Sequence, residues 1–384
     1  MDPLLFLIIS TAVKIIVFTF VCTLPIIAYS TYAERRVSSI IQDRVGPNRV
    51  GIPLTLFGCK KDIHFAGLLQ PLADGLKAFL KEDLVPGHVR KFFFWIAPAL
   101  AAAPGFLCIC ILPFGSSIHL FGHDIKLVIA DIDAGPLFVF AIASLSVYGI
   151  TIAGWASNNK YSFLGGVRSC AQMISYEIAL GLSLIPILMV FGQLNLSDIV
   201  QAQADGGWTL LPLWNEHGSL LDKAYWENSG EQWLLMIPLL ISFVIFTTSI
   251  FAETNRMPFD LPECETELVG GYHTEYSSMK FALFFLGEYA AMIVGSAVIV
   301  TLFFGGWSLG FGLDAAISNM AFGGLLHILI FLAKVIAFVI FFIWVRWTVP
   351  RFRYDQLMKL GWVVFFELAL VNIFITAGII MMLN

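Results

Sequence analysis

Charge is what this sequence has least of. Asp, Glu, Lys and Arg make up 13% of its 384 residues, about half of the quarter usual in soluble domains. That is too little polar surface to cover a soluble fold, which excludes a soluble enzyme and a disordered chain. Basic residues are not in excess either. The 22 Lys and Arg against 27 Asp and Glu give a net charge of −5, so there is no general basic patch for nucleic acid. Cysteine is scarce, with six residues: Cys22, Cys59, Cys108, Cys110, Cys170 and Cys264. The Cys108–Cys110 spacing is not a C-x-x-C pair, and neither a disulfide framework nor an iron–sulfur ligand set can be read. No P-loop is present, and no G-x-G-x-x-G follows a strand, so nothing marks a nicotinamide or flavin site. His119 and His123 have helical spacing but no HExxH around them, and no metal site is expected. The apolar run after Met1-Asp2-Pro3 lacks a basic flank and a cleavage site, so a retained helix is expected there and not a signal peptide.

What the sequence does have is long apolar runs. Hydrophobic residues reach 58% and the mean hydropathy is +0.84. A helix needs about 20 apolar residues to cross a bilayer. Eight segments qualify, near 4–30, 92–115, 136–156, 169–191, 233–252, 281–304, 325–345 and 361–382. Lipid offers no partner for a backbone amide, so these segments must be helical. The fold class expected is an all-α polytopic membrane protein in one transmembrane domain over 1–384, with no internal repeat. Lys and Arg set the orientation. Eighteen lie on one side, in segments 31–91, 157–168, 253–280 and 346–360; the opposite loops hold only Lys126 and Lys223. The 31–91 side is therefore cytoplasmic, and both termini lie outside. Within that loop, Phe65, Leu68, Leu69, Leu72, Leu76, Phe79 and Leu80 form an i, i+3, i+4, i+7 stripe. This pattern predicts an amphipathic surface helix near 64–81.

Five charges fall inside the apolar segments: Lys14, Glu177, Glu288, Lys334 and Glu367. At mid-depth each costs about 2.5–3.5 kcal/mol, so they must pair, neutralise or face water. Two readings stay open, static packing pairs or a proton or ion path. A second anomaly is the segment from Ala252 to Tyr276. It holds Glu253, Asp260, Glu263, Glu265, Glu267 and Glu275 against Arg256 as the one fixed cation, on the side that otherwise favours Lys and Arg. Asp260 and Glu263 fit a capping pattern for a helix beginning at Leu261. Asp260, Glu263 and Glu267 would share one face of that helix, and such a cluster titrates as a group.

Long strings now become informative: AERRVSSIIQDRVGPNRVG, LLQPLADGLKAFLKED, GWASNNKYSFLGGVRSCAQMISYEIALGLSL, AETNRMPFDLPECETELVGGYHTEYSS and VRWTVPRFRYDQLMKLGW. With these strings, spanning Ala33 to Trp362, the chain resembles the family of H-type membrane subunits of proton-translocating NADH–quinone oxidoreductase (respiratory complex I), whose mitochondrial counterpart is NADH dehydrogenase subunit 1. The resemblance implies a subunit that joins the peripheral arm to the membrane arm. It also implies that the subunit forms the quinone entrance and much of the tunnel and begins a chain of charges toward antiporter-like subunits. A quinone, ubiquinone or menaquinone, would be the substrate, with no redox centre or tightly bound cofactor in this chain. Implied partners are the peripheral quinone-site and iron–sulfur subunits, small membrane subunits, antiporter-like subunits and the lipid bilayer. The location implied is a bacterial inner membrane, with the mitochondrial inner membrane as the alternative.

Carried over by position, the quinone-binding set is Arg35, Arg36, Arg44, Asp74, Lys77, Arg256 and Arg346. The proton-path set is Glu34, Glu177, Glu253, Asp260, Glu263, Glu265, Glu267, Glu275 and Glu288. In this reading Glu34, Arg35 and Arg36 form an acidic–basic turn after the first helix, and 253–280 is an acidic quinone loop. Two departures stand out. Ile52 to Ala66 is an insertion between GPNRVG and LLQP. Glu367 is a charge outside the family pattern. The alternatives are the related membrane subunit of an energy-converting hydrogenase and a stand-alone cation or proton transporter. The acidic loop weighs against the first and the lack of repeats against the second.

Overall fold

The structure, a computed structural model, describes residues 3–52, 63–64, 66–120, 123–212, 214–215, 218–219, 230–262, 270–310, 313–318, 320 and 322–383. Among these, eight helices are long and apolar enough to cross a membrane. The spanning helices are α1 (Leu5–Ile41), α3 (Lys91–Ile111), α4 (Gly135–Ala156), α5 (Lys160–Phe191), α7 (Trp233–Glu253), α8 (Ser278–Phe303), α9 (Gly323–Thr348) and α10 (Tyr354–Leu383). Two shorter helices are α2 (Gln70–Leu80) and α6 (Leu196–Gly206). The only sheets among the described residues are short two-stranded pairings.

Helix α8 is the hub. Two thirds of its apolar window (67%) is enclosed, against 6% for α1. Its C-terminal half, Ile299, Val300, Leu302 and Phe303, packs in one core with Ile187, Phe246 and Phe331. Small residues let these helices close up, as membrane packing requires. A Cβ on Gly149 in α4 would lie 2.4 Å from the Ala101 nitrogen of α3, so only glycine fits that crossing. Polar side chains add specific ties. Asn372 in α10 donates to the Pro238 carbonyl and to Ser242 Oγ of α7, both at 2.9 Å.

The first helix is longer than hydropathy indicates. It continues past residue 30 to Ile41 through Ala33, Glu34, Arg35 and Arg36, which are all good helix formers. Ser38 and Ser39 fold their hydroxyls back onto the Arg35 and Arg36 carbonyls at 3.0 and 2.7 Å. The chain leaves the helix only near Asp43, at φ +50°. Glu34, Arg35 and Arg36 therefore sit on a rigid helix and not in a turn after it. Hydropathy stops at the first charge, whereas backbone hydrogen bonding continues.

The amphipathic helix is shorter than the stripe that predicts it. Residues 66–69 form a turn with Ala66 at φ +49° and Gly67 at φ +81°, and Pro71 starts the helix at Gln70. A Cβ on Gly67 would meet the Pro47 carbonyl at 2.3 Å, so the turn is clamped to the segment after α1. Leu72, Leu76, Phe79 and Leu80 remain exposed, as suits a helix lying on a membrane surface. Most of the 52–66 insertion lies outside the described residues.

On the opposite side, Ser117–Leu120 pairs antiparallel with His123–Lys126. His119 and His123 are thus on a hairpin and not on a helix, and His119 contacts Asp124 at 2.7 Å. Asp131 accepts from Lys126 at 2.5 Å, Asn195 at 3.0 Å and Ser197 at 3.2 Å, which ties this hairpin to α6.

The two intramembrane lysines take backbone partners. Lys334 donates to the carbonyls of Phe304, Gly306 and Ser308 at 2.7, 3.1 and 2.5 Å, just past the C-terminus of α8. A cation there neutralises the negative end of the helix dipole. Lys14 donates to the Val128 carbonyl at 2.8 Å.

Candidate functional site

The segment from Thr254 to Pro262 connects α7 toward α8 and is folded tightly against the bundle. Gln172, fully buried in α5, organises it. Its amide donates to the carbonyls of Ala252 and Phe259 at 2.8 and 2.9 Å and to Asn255 Oδ1 at 3.2 Å. Asn255 in turn donates to Ser169 Oγ at 2.9 Å and sits at φ +49°, a conformation asparagine tolerates better than most residues. The Pro258 carbonyl accepts from Phe352 at 3.1 Å, which fastens the chain after α9 to the same segment.

This folding drives Arg256 inward, where it is only 3% exposed. Its guanidinium lies 3.2 Å from Glu34 of α1 and 2.5 Å from Glu288 of α8. It also stacks over the Tyr289 ring at 4.2 Å. Glu34 accepts from the Tyr289 hydroxyl and pairs with Arg346 of α9. Two carboxylates, two guanidiniums and a phenol from four elements therefore share one buried site. Burial alone disfavours the Arg256 charge, but Glu288, Tyr289 and Glu34 outweigh it and hold its pKa well above the ordinary value. Beside this cluster Asp260 pairs with Arg351 at 3.3 Å, and on the far side Arg35 pairs with Asp74 of α2 at 2.9 Å.

The cluster forms one end of a cavity of about 760 Å³ between α1, α2, α8 and α9. Apolar side chains, Leu24, Ile27, Ala28, Ala78, Leu283 and Leu286 among them, share the lining with Arg35, Arg44 and Asp74. Charged groups set in a largely apolar lining suit a ligand with a polar head and an apolar tail.

The residues singled out from sequence distribute as follows. Glu34, Arg35, Arg44, Asp74, Asp260 and Arg346 line the cavity. Arg256 and Glu288 stand behind its polar end, bound to each other, with Arg256 also bound to Glu34. Arg36 and Lys77 are exposed and outside its lining. Glu253 lines a second, smaller cavity of about 60 Å³ between α3, α4, α5, α7 and α8, and Glu177 is near enough to act on it electrostatically. Glu275 accepts from Asn159 Nδ2 at 2.8 Å, at the start of α5 and away from the cavity. Glu263, Glu265 and Glu267 lie outside the described residues, as does the helix that Asp260 was expected to cap. Asp260 itself is in a turn, and its carboxylate is used in the Arg351 pair.

Sequence reasoning missed Tyr289 and Gln172 as members of the site. The signal available for the first was its place beside Glu288. For Gln172 it was a lone amide in an apolar helix, which has to find partners.

The sequence model of a family described as NADH dehydrogenase matches residues 13–377. The chain is 44% identical to the H-type subunit of the NADH-quinone oxidoreductase of Flavobacterium psychrophilum over 96% of each chain. It is 43% identical to the first H-type subunit of Cytophaga hutchinsonii over 99% of each, and 46% identical to the first H-type subunit of Geobacter metallireducens over 94% of each. The chain belongs to this family of H-type subunits. It is a multi-pass, all-α membrane subunit of the NADH–quinone oxidoreductase type.

Proposed function

We propose that this chain lines the membrane end of the quinone path in its NADH–quinone oxidoreductase complex, and that its buried carboxylates pass on protons as quinone is reduced. The observation that carries the first half is the 760 Å³ cavity, whose largely apolar lining also carries Glu34, Arg35, Arg44, Asp74, Asp260 and Arg346. A quinone tail gains by burial against Leu24, Ile27 and Ala78, at roughly 25 cal/mol per Å² of apolar surface removed from water. The headgroup would travel past the charged end toward the peripheral subunits. Helix α2, lying on the membrane surface, forms the sill of this opening. Redox chemistry belongs to partner subunits in this reading; this chain positions the quinone and manages charge.

The second half rests on the ionic cluster. Tyr289 donates to Glu34, and Glu34 shares Arg256 with Glu288. A negative quinone species arriving at the cavity's polar end would attract Arg346 and Arg35 and weaken their hold on Glu34 and Asp74. Those carboxylates then accept protons by the rule that a lost cation disfavours the charged form. Glu288, and beyond it Glu253 and Glu177, continue the path into the membrane. Glu263, Glu265, Glu267 and Glu275 belong to the same proposal as the acidic edge that supplies protons from the cytoplasm. The basic bias toward the 31–91 side supports an edge in the cytoplasm of a bacterial inner membrane, with both termini outside.

The test for the tunnel is Ala78→Trp, which places an indole in the cavity wall. Reduction of a long-tailed quinone should fall about tenfold or more, as expected for a blocked site. NADH oxidation by a hydrophilic artificial acceptor should be retained. A normal long-tailed quinone rate in the assembled variant removes the cavity from the quinone path. For the proton half, Glu34→Gln should lower the protons moved per quinone reduced in vesicles, and an unchanged ratio would sink that assignment.

A further inference from the structure

We propose that the outward stripe of α10 centred on Glu367 is a docking surface for a membrane-spanning helix of another subunit of the complex, and that this helix presents a lysine or arginine at mid-bilayer depth. Glu367 lies near the middle of the spanning helix Tyr354–Leu383 and is exposed. The residues around it on that face are apolar and exposed too: Val363 at 47%, Val364 at 44%, Leu370 at 38%, Val371 at 51% and Phe374 at 70%. Offsets of +3, +4 and +7 put Leu370, Val371 and Phe374 on one side of the helix with the carboxylate, and Val363 and Val364 lie in the π-helical turn Leu360–Phe365 just before it. The helix cannot roll to hide it. Ala369, Asn372 and Thr376 are buried on the opposite side, and Asn372 is bonded to Pro238 and Ser242 of α7.

An ionised carboxylate on such a stripe, facing hydrocarbon, is strongly unfavourable. Glutamate is too short to reach the interface across a half-bilayer of about 15 Å. Nor, among the described residues, does a cation of this chain pair with it. Lys14 is engaged with the Val128 carbonyl and Lys334 with the carbonyls of Phe304, Gly306 and Ser308, while Arg346 and Arg351 pair with Glu34 and Asp260. No described residue supplies the complementary charge, and in this proposal it comes from another subunit. The exposed apolar residues flanking it supply the packing surface for the helix that carries it. This inference rests on the chain's membership of a multisubunit complex and not on the quinone or proton readings.

The experiment uses the intact purified complex. A photoreactive benzoylphenylalanine in place of Phe374 should crosslink to an apolar span of one other subunit, and that span should contain a lysine or arginine. Glu367→Leu then separates the possibilities by sign. If the carboxylate meets a cation, the substitution strands that cation in the membrane and the amount of this chain recovered in assembled complex falls about tenfold or more. Replacing the partner's basic residue by leucine in the same strain should then restore recovery to within about twofold of wild type. If Glu367 faces lipid, Glu367→Leu leaves recovery unchanged or raises it, and the photoprobe labels lipid. Either of those results overturns the proposal. So does a crosslinked span without a basic residue, or a loss of assembly that the second substitution fails to restore.

Discussion

Arg256 offers the sharpest test of the buried cluster. Arg256→Met keeps much of the side chain's volume and removes its charge. The guanidinium is 3% exposed, with Glu34 at 3.2 Å and Glu288 at 2.5 Å. Glu34 still has Arg346 and Tyr289, and Glu288 loses a guanidinium 2.5 Å away. Removing one partner of a buried pair costs about 3–5 kcal/mol, because the other charge is left uncompensated. The contact with Tyr289 adds about 0.5–2 kcal/mol. Replacing both partners leaves no such charge. Arg256→Met with Glu288→Gln should therefore be milder than the sum of the two single changes by about 2 kcal/mol, the coupling expected of directly contacting residues. The assay is the temperature at which NADH–quinone activity of the purified complex halves, together with the fraction of this chain found in assembled complex. Because an assembly of many subunits is not two-state, the order of the four proteins carries the result. Strict additivity would refute the reasoning, since it would mean that Glu288 does not depend on Arg256.

Three further outcomes are expected. Gln172→Leu leaves the carbonyls of Ala252 and Phe259 without their donor, at a cost of about 1–3 kcal/mol; the loosened segment should expose Arg256 to trypsin, and continued resistance would show that Gln172 does not hold it. Burial holds the His273 imidazole down at about 4, so the folded state keeps it neutral while the unfolded chain protonates near 6.5. Its contribution is therefore intact above about 6.5 and is lost as pH falls toward 4, by up to about 3 kcal/mol. Hydrogen-exchange protection over Gly271–Tyr276, taken relative to the intrinsic amide rate at each pH, should fall between about pH 7.5 and 5 in the wild type and much less in His273→Phe; an equal fall in both would contradict this. On topology, Gly206→Cys has open space around its Cβ and, in a background without the native cysteines, should react with an impermeant thiol reagent added from outside. Reaction only after permeabilisation would invert the orientation.

Much of the architecture was legible in the sequence. The bilayer imposes one rule on every spanning segment, that backbone groups satisfy themselves, and hydropathy is enough to apply it. All eight helices appear close to where the apolar runs placed them. The errors fall at helix ends, where charge and helical hydrogen bonding disagree: α1 runs on through Glu34, Arg35 and Arg36, and α2 starts only at Gln70. Composition also indicated that the buried charges needed partners. It gave no means of saying which. Lys14 and Lys334, read as candidates for an ion path or packing pairs, bind backbone carbonyls, which carry no sequence signature.

Glu34, Arg256, Glu288, Tyr289 and Arg346 lie on four elements, and the contacts of Glu34 with Arg256 and Tyr289 bridge 222 and 255 positions of chain. Hydropathy is a local property and fixes which segments enter the membrane. Which charges meet depends on helix rotation, on glycine-permitted approaches such as Gly149 against Ala101, and on Gln172 folding Arg256 inward. These are decided by packing among distant segments, so only the tertiary structure brings the cluster together at the end of the cavity.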